Sequence, residues 1–155
     1  RERSNTMSNL LVQNIKHTNN TTSMSIDTSG QVSIRGEGSA TTTNLQQGLC
    51  KAWATFNATG TAATRDTFNV SGLTDNGTGD FSFAFSSNFE TANAYVAGGL
   101  VAHSSQSTAT YTLRAYSSST LTTSSARMSM VYNTDSAQGV SDYAYGSTLM
   151  HGDLA

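Results

Sequence analysis

Apolar residues at every second position are the clearest pattern in this chain, and they are clearest over residues 68–89, FNVSGLTDNGTGDFSFAFSSNF. Phe68 and Val70 are spaced to share one face before a Gly/Asn/Asp turn, and Phe81, Phe83 and Phe85 share one after it. Alternation on both sides of such a turn predicts a β-hairpin. The turn itself, Asp75, Asn76, Gly77, Thr78, Gly79 and Asp80, is built from residues that accept positive φ or bond nearby backbone amides.

The same period recurs along the chain. Leu11 and Ile15, then Met24 and Ile26, then Val32 and Ile34 alternate with polar residues, and Asp27-Thr28-Ser29-Gly30 lies between the last two runs, so MSIDTSGQVSI reads as a small hairpin. Two or three short strands bury too little to stand alone, so residues 1–35 are expected to form an attachment arm. Residues 36–48, GEGSATTTNLQQG, read as a polar linker. Residues 49–155 read as the main body, with strands near 50–57, 65–72, 80–86, 94–101, 109–116, 126–132 and 143–151. Residues 137–142 have room for a single turn. The expected fold is all-β: an antiparallel β-sandwich or jelly-roll-like body behind an N-terminal extended or hairpin arm. Its predicted core is Trp53, Phe56, Phe68, Phe81, Phe83 and Phe85.

Composition supports this reading. Ser and Thr make up about 30% of the 155 residues, while charged residues are 12%, about half the usual share. Six Phe, six Tyr and one Trp argue against disorder. The net charge is −2 and the eight Lys/Arg are scattered, which disfavours a nucleic-acid partner. No apolar run approaches the roughly 20 residues of a membrane-spanning helix, so membrane insertion is not expected, and the opening RERSNTMSN has no apolar signal core. Proline is absent; a β-rich chain without it must guard its sheet edges by other means, and pairing with neighbouring subunits is one.

Residues with chemical potential are few. Cys50 is single and lies beside Leu49 and Ala52, as a small buried hydrophobe would. The loop at 75–80 is rich in oxygen but lacks the spacing and closing Glu of an EF-hand. His103, His151 and Asp153 form a candidate metal set without HxH or HExxH spacing, and His17 is the remaining histidine. Asp66, Asp75, Asp80, Glu90, Asp135 and Asp142 supply carboxylates mostly at turn positions, and no GxSxG occurs. No catalytic residue, cofactor or metal is assigned. Tyr95, Tyr111, Tyr116, Tyr132, Tyr143 and Tyr145, with Trp53, could form an exposed aromatic platform or be consumed in the core and in subunit interfaces.

Two segments carry a resemblance. NNTTSMSIDTSGQVSI resembles a lead-in of the type T-x-x-I-D-S-S-G-x-V found near the start of tailed-bacteriophage fibre and virion proteins. The stretch TTTNLQQGLCKAWATFNATGTAATRDTFNVSGLTDNGTGDFSFAF, with the closing LMHGDLA, is similar to small virion-associated proteins of marine phages. The resemblance implies a phage structural protein, a short homotrimeric fibre or head-decoration component. Its N-terminal arm would hold it to capsid, portal or tail protein, and its β body would be exposed on the virion exterior. The alternative is a tail-fibre receptor-binding protein that recognises a host surface glycan or protein through loops at 57–66, 102–108, 117–125 and 133–142. A depolymerase is a third, weaker reading. The matching motifs carry no functional residues, so they imply structure and association, not a reaction.

Overall fold

A computed structural model of the chain describes residues 13–16, 21–35, 42–103, 109–117 and 120–155. The protein is all-β and divides into two units, residues 1–48 and 49–155. Leu11 and His17 lie outside the described residues.

The first unit is a four-stranded antiparallel sheet in the order β1-β2-β3-β4, made of Asn14–Lys16, Thr22–Ile26, Val32–Arg35 and Thr42–Asn44. Asp27 builds the hairpin between β2 and β3. Its Oδ1 accepts the Ser29 and Gln31 amides at 2.9 Å, while Gly30 takes φ +79°. This is the left-handed conformation that glycine adopts without a Cβ penalty. The expectation of a linker over 36–48 is corrected for its second half. Thr42–Asn44 pairs with β3 and is followed by a helical turn, α1, at Leu45–Gly48. Polar side chains fasten this segment: Gln46 Oε1 accepts the Val32 amide at 3.1 Å and Asn44 Nδ2 donates to Gln31 Oε1 at 2.9 Å.

The second unit is one strongly curved antiparallel sheet that nearly closes into a sandwich or barrel. Its strands are β5 (Ala52–Asn57), β6 (Ala63–Phe68), β7 (Val70–Gly77), β8 (Asp80–Phe85), β9 (Val96–Ala102), β10 (Thr110–Ala115), β11 (Ser125–Asn133), β12 (Gln138–Val140) and β13 (Tyr145–His151). They run β6-β5-β13-β9-β10-β11-β8-β7, with β12 pairing the far end of β11. Phe56 from β5 meets Phe81 and Phe83 from β8 across the interior, with ring centroids 5.5 and 5.1 Å apart. Met128, Met130, Met150, Leu113, Ala52 and Ala54 fill the space around them. At one end Phe85, Phe89 and Tyr95 form a second aromatic group, with Phe89 stacked on Tyr95 at 4.2 Å. On β9 the chain passes so close to β13 that a Cβ on Gly99 would strike the Ser147 carbonyl oxygen.

Two expectations fail here for one reason. The run at 65–72 is not a single strand, because Asn69 adopts φ +54° and turns the chain sharply between β6 and β7. Asn tolerates this conformation better than other side-chain-bearing residues, and here its side chain locks it. Nδ2 donates to the Lys51 and Ser87 carbonyls at 3.0 Å, and Oδ1 accepts the Ser87 amide at 2.6 Å. Phe68 and Val70 therefore do not share a face: Val70 is buried, whereas Phe68 is 52% exposed. Trp53, paired with Phe68 across β5 and β6, is half-buried on the same outer face. Neither belongs to the core, while Phe56, Phe81, Phe83 and Phe85 do. The 137–142 segment contains strand β12, which pairs Val140 with Val131.

Candidate functional site

The turn expected over 75–80 narrows to Thr78 and Gly79, since Asp75, Asn76 and Gly77 end β7 and Asp80 begins β8, and the side chains around it are put to structural use. Asp75 Oδ1 accepts the Gly77 amide at 2.9 Å, and Asn76 Nδ2 donates to Ser82 Oγ at 2.8 Å. Gly79, at φ +65°, donates its amide to Asp142 Oδ1 at 2.6 Å, and its carbonyl accepts the Met130 amide at 2.8 Å. A Cβ at Gly79 would fall 2.8 Å from the Val140 Cβ, so the turn is clamped between β11 and the β12 segment. Asp80 pairs with Arg127 through two side-chain hydrogen bonds, one of them from Nε at 2.7 Å, and the Arg127 guanidinium lies 4.2 Å over the Tyr116 ring. The hydrogen bond from Arg127 holds the Asp80 carboxyl below its ordinary value, against the opposing effect of burial.

The candidate metal set does not converge. His151 pairs with Val96 at the start of β9, and His103 follows Ala102 at its end. Seven residues of strand separate the two levels, roughly 23 Å at an extended rise per residue. Among the described residues no three His, Cys, Asp or Glu side chains gather where they could hold an ion. Cys50 is half-buried, with Sγ 3.1 Å from the Ala52 carbonyl.

The tyrosines divide between interior and surface. Tyr95 is buried, donates its hydroxyl towards the Thr122 and Ser125 carbonyls at 3.1 and 3.0 Å, and has its pKa pushed up to about 12 by burial. Tyr111 and Tyr143 pack with His103 at ring separations of 5.0–5.6 Å. Burial also raises the Tyr143 pKa. Tyr116 and Tyr145 are exposed. A shallow opening of about 190 Å³ beside Arg114, Val131 and Val140 and a recess of about 40 Å³ beside Phe89 and Glu90 are both smaller than ordinary small-molecule sites, about 300 Å³ and upwards.

Two apolar sheet faces stand out instead. In the first unit Ile15 pairs with Met24, Met24 with Ile34, and Ile26 with Val32. Directly paired residues share a face, so all five form one apolar row. None is fully buried, and Ile15 is 50% exposed.

The second face is the outer surface of β6-β5-β13-β9. Phe68, Trp53 and Leu149 lie side by side in consecutive strands, and Leu149 pairs with Gly98. Val96 and Leu100 flank Gly98 two residues away on the same side of β9, and Tyr145 pairs with Ala102. Val96, Leu100, Phe68, Leu149 and Tyr145 are 70, 71, 52, 47 and 43% exposed. Alternation in the sequence marks the faces of these strands; it does not mark which face is covered, and that is why Phe68 and Trp53 read as core.

Comparison with family models, with known proteins and with solved structures finds no match for the chain.

Proposed function

We propose that this protein is a non-enzymatic structural component of a bacteriophage virion, a short homotrimeric fibre or head-decoration protein. Its N-terminal unit attaches it to capsid, portal or tail protein, and its β body is displayed on the particle exterior. The observation that carries this reading is the first sheet. It is ordered by hairpin and side-chain hydrogen bonds, yet none of its described residues is fully buried. A sheet with an apolar face reaches independent stability only when a second layer covers that face. An arm that docks on another protein gains that layer at assembly, and linked copies gain avidity from repeated docking. The sequence resemblance of residues 19–34 and 41–85 to phage virion proteins supplies the identity of the particle.

The test is to delete residues 1–48 and follow co-purification of the body with phage particles. Loss of incorporation by the truncated chain, which retains its β spectrum, is the expected result. Undiminished incorporation would overturn the role given to the arm.

A further inference from the structure

We propose that Asn76 is a self-modification site: the chain converts this residue to aspartate or isoaspartate without an enzyme, and the β7-β8 hairpin sets the rate. The reaction goes beyond the particle role proposed above and uses no part of the arm.

The residue that follows makes the step accessible. Asn76-Gly77 is the single Asn-Gly pair among the twelve asparagines of the chain. To close a cyclic imide, the backbone nitrogen of the next residue must reach the asparagine Cγ, and a side chain on that residue obstructs the approach. Glycine has none, and its backbone turns most freely. The Gly77 nitrogen bonds to Asn76 Cγ and gives up its proton. The Cγ–Nδ2 bond then breaks, and the amide nitrogen leaves with that proton as ammonia. Water opens the succinimide at either carbonyl, which yields aspartate or isoaspartate. Water is consumed, ammonia is released, and nothing is oxidised or reduced.

Local geometry favours this position. Asn76 and Gly77 are both exposed, so water reaches them. Asp75 pairs with Phe81 and Gly77 with Asp80, which leaves Asn76 as the bulged residue between them. A bulged residue bends away from regular strand geometry. Asp75 Oδ1 accepts the Gly77 amide at 2.9 Å, which sets a carboxylate base on the proton that must leave. Asn69 is the contrast: its carboxamide is held at both ends by Lys51 and Ser87, and β-branched, buried Val70 follows it.

The hairpin also supplies a brake. Asn76 Nδ2 donates to Ser82 Oγ at 2.8 Å and to Asp80 Oδ1 at 3.4 Å. Both bonds tie the carboxamide to β8 and must break before Cγ swings to the Gly77 nitrogen. Conversion then acts on the Asp80–Arg127 pair. The Asn76 donor helps Arg127 keep the Asp80 carboxyl below its ordinary value, whereas a carboxylate at position 76 offers no donor and places a like charge beside Asp80. Isoaspartate also lengthens the backbone within a hairpin that is clamped at Gly79.

The experiment incubates the full chain at mildly alkaline pH, follows the more acidic form by ion exchange and locates the change by peptide mapping. Wild type is compared with Ser82→Ala and with Asp75→Ser, which keeps an acceptor for the Gly77 amide but no base. Position 76 is expected to convert ahead of every other asparagine. Ser82→Ala should speed it about two- to tenfold, the worth of one hydrogen bond. Asp75→Ser should slow it about tenfold or more, with far-UV spectra alike in all three. The separated acidic form should melt about 4 °C lower than the parent. Other asparagines converting while Asn76 stays intact would overturn the inference. So would equal rates at Asn76 in the three chains, which would leave the hairpin no part in the reaction. Neither result bears on the particle test above, which turns on the arm alone.

Discussion

The two units of this chain are written in the same alternating pattern and built from the same antiparallel ladders, yet they differ in what covers their apolar residues. In the body, Phe56, Phe81, Phe83, Met128, Met130 and Met150 are fully buried because a curved sheet brings one half of its own inner face against the other. In the N-terminal sheet, Ile15, Met24, Ile26, Val32 and Ile34 line up as regularly, yet none of the five is fully buried. A strand pattern tells which side is apolar; whether that side is a core or an open surface depends on how many strands follow and how tightly they curl. The energetic consequence is that equal side chains in the two units have unequal worth.

That inequality gives the largest expected effect. Phe83→Ala removes a fully buried ring that packs edge-on against Phe56, and truncations of this kind cost about 3–5 kcal/mol. Urea titration of the body should show the midpoint fall accordingly. Ile34→Ala, in the open sheet, should leave the body's transition where it is, since the two form separate units. An equal shift from both substitutions would mean that the units melt as one and that their apolar faces are covered alike.

A smaller effect is tied to pH. Asp80 is nearly buried, and its bidentate partner Arg127 is partly open to solvent, so Asp80→Asn should destabilise by about 1–2 kcal/mol, the screened worth of such a pair. The Arg127 hydrogen bond lowers the folded-state pKa of Asp80 from its ordinary 3.8. A carboxyl of lowered pKa contributes stability that is fully present above its unfolded value and disappears as pH falls through the folded one. Thermal melts should therefore show wild type and Asp80→Asn differing most above about pH 4 and converging in stronger acid. A difference that persists unchanged at pH 2 would show that the pair is not its source.

Much of this was readable beforehand. The β class, the hairpin at 24–34, a hairpin within 68–89, the body starting at residue 49 and the burial of the three alternating phenylalanines all follow from local spacing and turn chemistry. The misses have long-range causes. Asn69 looks like any polar residue inside a strand, and only the carbonyls of Lys51 and Ser87, each 18 residues away, show why it turns a corner. Thr42–Asn44 reads as linker because three polar residues carry no periodicity, and its partner strand supplies the register. Tyr95 and Phe89 stack six residues apart through a loop with no repeating pattern at all. The absence of proline suggested that sheet edges need protection. In the body the strands at the two ends of the main order, β6 and β7, are consecutive in the chain, and the Asn69 corner joins one directly to the other.

The smallest expected effect on stability is the most informative about the comparison. Phe68 and Phe81 flank the Asn69–Asp80 segment, and by composition nothing distinguishes them; in the fold Phe81 has no exposed surface and Phe68 is 52% exposed. Phe68→Ser should lower the unfolding free energy of the isolated chain by only about 1 kcal/mol, the scale of one cross-strand aromatic pair and of the strand preference that Ser lacks. Its effect should appear elsewhere, in the emission of Trp53, its cross-strand neighbour. If instead Phe68→Ser destabilises the dilute monomer as much as a core truncation does, then the outer face is covered within a single copy. The body would then resemble the N-terminal sheet in nothing but its alternation, and only the first unit would be left with an apolar side to offer.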